Sequence, residues 1–212
     1  NYITYQNNWF DHSDSRHPRV RTMSVHVWNN YYDGCAKYGV GATTGSSVFV
    51  ESNYFRATKD PMLISLQGTD AKGSGTFSGE NGGMIKSYGN VYADKGSSSN
   101  YTPITQNDDA TSFDCYEVSQ RNEQVPGSVK TLVGGTAYDN FDTNSALMYS
   151  YTPDAATSVP AVVTGWTGAG RMNKGDFKWI FTSADDSSSA VNNALASAID
   201  SYQSKLVGIS AK

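Results

Sequence analysis

Four short segments of the chain carry one signature: QNNWF (6–10), WNNYY (28–32), ESNYF (51–55) and YGNVY (88–92). Each places an Asn directly before an aromatic pair or near-pair, at Asn8, Asn30, Asn53 and Asn90, in steps of 22, 23 and 37 residues. A step of 22 or 23 fits one coil of a solenoid, where each repeat buries its apolar face against its neighbours. The third step is a coil with extra chain, and LQGTDAKGSGTFSGENGG (66–83) has the Gly-rich character of that insertion. A strand candidate precedes each Asn: YITYQ, SVHVW, SVFVE and GMIKSY. Val25 and Val27, like Val48 and Val50, alternate as a strand with one buried face does. Stacked strands set equivalent Asn side chains at one bend, where they tolerate left-handed backbone and hydrogen-bond along the stack. The aromatics that follow can stack inside the coil. The expected fold is all-β, a right-handed parallel β-helix with strands near residues 2–6, 24–29, 46–52 and 83–89. An antiparallel sandwich needs no step of 22 and shows more hairpin turns.

The repeat fades after Thr111, where TSFDCYEV and TAYDNFDT read as strand or turn. Residues 145–170 hold Pro153 and Pro160 and read as an extended segment draped over the solenoid. In SSSAVNNALASAIDSYQSKLVG (187–208), Ala190, Val191, Ala194, Leu195, Ala198, Ile199, Tyr202 and Leu206 form one helical stripe with a Ser at the N-cap. That pattern predicts a C-terminal α-helix packed on the outside. The organisation is one domain over 1–212: coils and insertions over 1–144, then a draped tail and terminal helix over 145–212.

A net charge of −4, with 38% hydrophobic and 17% charged residues, describes a folded protein and argues against a nucleic-acid binder. No stretch is long and apolar enough to span a bilayer as a helix. The opening NYITYQNNWF has no basic n-region, apolar h-region or initiating Met. The expectation is that the chain starts mid-solenoid, with more coils before it, and that the protein is monomeric. Cys35 and Cys115 lack metal or CxxC spacing. They are two buried thiols or a disulfide worth about 4 kcal/mol by loop closure. His12 and His17 share a loop without an obvious third ligand, so no metal site is expected there. Lys37, Tyr38 and Arg56 fall near equivalent turns of later coils and read as solvated residues, or as further anion contacts. Asn100 opens an N-x-T sequon that reads as an ordinary loop.

Against this acidic background, SDSRHPRVR (13–21) packs three arginines and a histidine beside a proline. Arg19 and Arg21, two apart on a strand, share a face. Pro18 fixes its φ and bends the chain after Arg16. Three crowded guanidiniums repel one another, and an anionic ligand relieves that cost. A solvated charge cluster is the plain alternative.

The stretch SDSRHPRVRTMSVHVWNNYYDGCAKYGVGATTGSSVFVESNYF resembles the polysaccharide lyase family 1 pectate lyases, in its Arg-x-Pro-x-x-Arg segment, HVWNNYYDG, YGVGA and VFVESNYF. The tail MYSYTPDAATSVPAVVTGWTGAG and the last helix are similar to those of bacterial members. The resemblance implies a secreted, extracellular bacterial β-helix enzyme that cleaves α-1,4-polygalacturonate (pectin) by Ca²⁺-assisted β-elimination. By position, Arg16 matches the base that takes the C5 proton, and Arg21 the arginine that pairs with a substrate carboxylate. Arg19 is not fixed by the motif and flanks the groove as a further substrate contact. Guanidinium is normally always protonated, so an arginine base is unusual chemistry. The family's calcium-binding acids precede the arginine segment, and Asp11 and Asp14 do not match them. The metal ligands are therefore expected in a missing N-terminal β-helix portion, with none in this chain. A calcium-free pectin lyase and a non-catalytic β-helix that binds acidic polysaccharide are the alternatives.

Overall fold

Strand ladders join residues at the spacing of the Asn repeat. The computed structural model describes residues 2–73, 77–95, 101–165 and 177–203. The first coil contributes β1 (Tyr2–Gln6), β2 (Trp9–Asp11) and β3 (Arg19–Arg21). The second contributes β4 (Ser24–Trp28), β5 (Tyr31–Asp33) and β6 (Tyr38–Thr43). The third contributes β7 (Ser47–Glu51), β8 (Tyr54–Arg56) and β9 (Asp60–Ile64), followed by the short helix α1 (Gly68–Lys72). The fourth holds β10 (Met84–Tyr88) and β11 (Val91–Ala93), and β12 (Tyr116–Glu117) begins one more rung.

Tyr2 pairs with Ser24, Ser24 with Ser47, and Ser47 with Met84, all in parallel. The result is three parallel sheets, ordered β1-β4-β7-β10-β12, β2-β5-β8-β11 and β3-β6-β9. This is a parallel β-helix, wound with the right hand that parallel crossovers adopt. The insertion over 66–83 leaves the stack between β9 and β10, as the long third step requires.

The Asn residues form a ladder. The side-chain amide of Asn8 donates to Oδ1 of Asn30 at 2.9 Å, Asn30 to Asn53 at 3.0 Å, and Asn53 to Asn90 at 3.0 Å. The left-handed residue is one position earlier than expected: Asn7, Asn29, Ser52 and Gly89 have φ of 54°, 50°, 51° and 60°. That turn frees each ladder Asn to point inward. A second left-handed row follows at His12, Gly34, Ala57 and Asp94, closing the next corner at the same steps.

Two positions past each Asn, rings stack inside the coil: Phe10 on Tyr32 at 4.9 Å, Tyr32 on Phe55 at 4.3 Å, Phe55 on Tyr92 at 5.6 Å. The intervening Trp9, Tyr31 and Tyr54 face outward and are covered by Val159 and Val163 of α2 (Val159–Thr164). Val25, Val48 and Ile85 make one buried inner row, and Cys35 and Cys115 are buried as free thiols.

The opposite face of the first sheet is polar and nonetheless buried. His26 Nε2 meets Glu51 Oε1 at 2.7 Å. Arg121 Nε donates to Glu51 Oε2 at 2.9 Å, and the Tyr151 hydroxyl also donates to Glu51. Tyr149 bonds His26 Nδ1 and accepts from Trp28 Nε1, both at 2.8 Å. Lys86 pairs with Asp142 at 2.6 Å. This network draws the draped segment onto the solenoid.

The terminal helix is shorter than its stripe. α3 spans Asn193–Asp200, and Asn192 caps it by accepting from the Leu195 N–H at 2.9 Å, where a Ser was expected. None of its residues is fully buried, and Ile199 is 55% exposed. The stripe's Leu206, residues 166–170 of the tail and the sequon's Asn100 lie outside the described residues.

Candidate active site

β3 carries the sequence Arg-Val-Arg on the first coil of the third sheet. Val20 points into the core, so Arg19 and Arg21 share the outer face, half-buried and exposed respectively. β3 pairs with β6 from Arg19↔Gly41 to Arg21↔Thr43. Before it, the chain passes the cis His17–Pro18 bond and exposed Arg16, whose φ is 70°. Arg16 lies outside both left-handed rows. Its neighbour Ser15 bridges Tyr38, which is an ordinary residue of β6. Between the Ser15↔Tyr38 bridge and the Arg19↔Gly41 pair the first coil carries one residue more than the second, and Arg16 lies in that bulge.

The surroundings fix this segment. The His17 N–H donates to Gly39 O at 2.8 Å, and His17 O accepts from the buried Tyr32 hydroxyl at 2.6 Å. The imidazole stacks on Phe10 at 4.7 Å and meets Ser13 Oγ at 2.6 Å. Burial pushes its pKa down to about 4, against the pull of Asp14, so it is neutral at neutral pH. Burial pushes the Tyr38 hydroxyl up, opposed by the Arg16 and Arg19 charges beside it. The expected sharing of one face by Arg19 and Arg21 holds: both reach Glu80, Arg19 through Nη2 at 3.2 Å and Arg21 through Nε at 2.7 and 2.9 Å and through Nη2. Hydrogen bonding from Arg21 draws the Glu80 carboxyl down to about 2.

Glu80 was not visible in the sequence as part of this cluster. It comes from the insertion, whose Phe77 lies over Gly41 so closely that a Cβ there would stand 2.4 Å from the ring. The same ring packs edge-on to Tyr38 at 4.7 Å, with the Arg19 guanidinium 5.5 Å from its centre. Gly41 in YGVGA therefore makes room for the insertion. A Gly at that strand position was the available signal.

Of the other candidates, Lys37 pairs with Asp14 at 2.9 Å on the surface. Arg56 is not simply solvated: it donates to Asp33, and to Asp186 at 2.6 and 2.9 Å. Asp11, His12 and Asp33 bring ligand atoms within 4.8 Å of one another. Their oxygens already serve Arg56, Trp9 and His12, and imidazole is a poor partner for a hard cation that takes six to eight oxygens. Asp14 and Glu80 likewise face a lysine and two arginines. The acids described around the arginine segment therefore do not fit calcium.

A stack of parallel coils with arginines displayed on one outer sheet defines a β-helix protein with a local basic face. The chain belongs to the pectate lyase family, whose model matches residues 1–172. Pectate lyase E of Dickeya chrysanthemi is 30% identical over 146 residues, covering 65% of this chain and 33% of that protein. Pectate trisaccharide-lyase of Bacillus licheniformis is 34% identical over 61 residues, 29% of this chain and 18% of the relative. A solved pectate lyase from Paenibacillus sp. 0602 aligns with a TM-score of 0.50 at 18% identity, over 88% of this chain and 40% of that one, a likeness of fold. The chain thus spans about a third or less of these curated relatives.

Proposed function

We propose that the chain carries the arginine wall of a pectate lyase cleft, and that the whole protein cleaves α-1,4-polygalacturonate by β-elimination. The observation behind this reading is that one short segment, Arg16 to Arg21, gathers three arginines on one outer part of the first coil: exposed Arg16 in a left-handed turn, and Arg19 and Arg21 on the outward face of β3. Arg21, with Arg19 beside it, pairs with the carboxylate of a bound uronate. Arg16 takes the proton from C5, which is acidified because it lies α to the C6 carboxylate. The C5–H electron pair forms the C4–C5 double bond, and the C4–O pair leaves with the departing sugar, which takes a proton. Charge builds on an already anionic group, and fixed cations stabilise it. No step assigned to this chain runs through calcium; on this reading its ligands lie on coils N-terminal to β1. A polymeric substrate calls for a secreted, extracellular enzyme, and no helix among the described residues is long and apolar enough to cross a membrane.

The test is the appearance of unsaturated-product absorbance from polygalacturonate, with and without a chelator, using the whole protein. Elimination lost on chelation supports the reading. Elimination that survives chelation and prefers esterified pectin makes the protein a pectin lyase. Binding without elimination makes it a non-catalytic polysaccharide binder.

A further inference from the structure

We propose that Glu80 is a positioning residue for the substrate-binding arginines; the inference rests on the function proposed above. A carboxylate beside arginines that await another carboxylate is unexpected by charge alone, because it cancels part of the attraction. Two geometries explain it. Glu80 could occupy the place of the substrate and leave when substrate arrives. Alternatively, it could stay and hold Arg21 in the orientation that binding needs.

The contacts favour the second. Glu80 is held by its main chain on both sides: its N–H donates to Ser78 Oγ at 3.0 Å, and its carbonyl accepts from Ser65 Oγ at 2.7 Å. The two serine hydroxyls meet each other at 3.1 Å, and the Phe77 N–H is fixed to Asp70 Oδ1 at 2.6 Å. Phe77 is seated on Gly41 and against Tyr38. With its main chain so anchored, Glu80 cannot withdraw as a segment, and its carboxylate could leave the arginines only by rotating its own side chain. It also uses only one edge of the Arg21 guanidinium, Nε and Nη2. Guanidinium carries five donors in a planar fork. The Nη1 amino group has no hydrogen bond among the described residues, so Arg21 can grip Glu80 on one edge and a uronate with its end. Glu80 also takes Nη2 of Arg19, which sets the two arginines at a fixed distance along β3. An exposed arginine on a short strand would otherwise lose rotamer freedom on binding.

The two readings predict opposite signs. Trigalacturonate binding to the whole protein is measured by calorimetry with calcium chelated, for wild type, Glu80→Ala, Glu80→Gln, Arg21→Ala and Arg21→Ala with Glu80→Ala. Positioning predicts that Glu80→Ala weakens binding about tenfold despite removing a negative charge, with Glu80→Gln intermediate because it keeps one acceptor. It also predicts that Glu80→Ala has no further effect once Arg21 is Ala, since it acts through that side chain. In turnover, KM should rise with kcat within about twofold. Tighter binding by Glu80→Ala or Glu80→Gln overturns the proposal and makes Glu80 a displaced competitor. If Arg21→Ala weakens binding while both Glu80 variants bind as wild type, the positioning role is also wrong. If Arg21→Ala itself leaves binding unchanged, the underlying assignment of Arg21 has failed instead. Should Glu80→Ala not fold, the sign of the Glu80→Gln effect decides alone.

Discussion

Oδ1 of Asn53 accepts two hydrogen bonds from Asn30, one from its main-chain N–H at 2.9 Å and one from its side-chain amide at 3.0 Å. The amide of Asn53 in turn donates to Val27 O, Glu51 O and Asn90 Oδ1. A single side chain thus satisfies buried polar groups on three successive coils.

Asn53→Ala should cost about 3 kcal/mol, because it strands the buried Asn30 main-chain N–H and removes the amide bonds to Val27 O, Glu51 O and Asn90 Oδ1. Asn8, half-buried at the first rung, should cost less when changed to Ala. Urea unfolding of both variants checks this, and a loss below about 1 kcal/mol at Asn53 would show that the ladder is not a principal constraint.

Glu51 ties His26, Arg121 and Tyr151 together beneath the draped segment. Glu51→Ala leaves the buried His26 imidazole without its acceptor and Arg121, about a third exposed and so partly screened by water, without its carboxylate, a change worth roughly 1–3 kcal/mol. It should also loosen residues 145–155 first, visible as faster proteolytic cleavage there under native conditions. Unchanged cleavage would mean that α2, packed on Tyr31, holds the segment without the network.

His17 gives a pH signature. Its folded pKa of about 4 lies below the ordinary 6.5, so the unfolded chain binds more protons between those values. The neutral imidazole therefore contributes stability that is fully present above pH 6.5 and lost as pH falls toward 4. His26, also lowered by burial, acts in the same direction. Asp114, raised to about 6 by burial, acts oppositely, since its stabilising protonated form is lost as pH rises. His17→Gln should flatten the fall in urea midpoint between pH 7 and pH 4.5. A deficit that is the same at both pH values would remove His17 as a source of the slope.

The solenoid was legible because a ladder needs the same residue at every rung, so physical stacking writes itself into spacing. Gly89 was the one hint that the left-handed residue precedes the ladder Asn, because the equivalent Asn7, Asn29 and Ser52 do not demand that geometry. The terminal stripe was less faithful: Val191 and Ile199 keep helical spacing yet are 75% and 55% exposed. The arginine segment stood out by charge density. Its partner Glu80 did not, because the pair joins a strand to an aperiodic insertion 59 residues away.

The central claim is that Arg16 takes the C5 proton while Arg21 holds a carboxylate. The most direct measurement is steady-state elimination of polygalacturonate by the whole protein with Arg16→Ala, alongside separate trigalacturonate binding. The account predicts loss of nearly all turnover with binding within a few-fold of wild type, and no rescue by Arg16→Lys, whose ammonium lacks the planar fork. Turnover by Arg16→Ala at a substantial fraction of wild type would contradict it and place the base elsewhere.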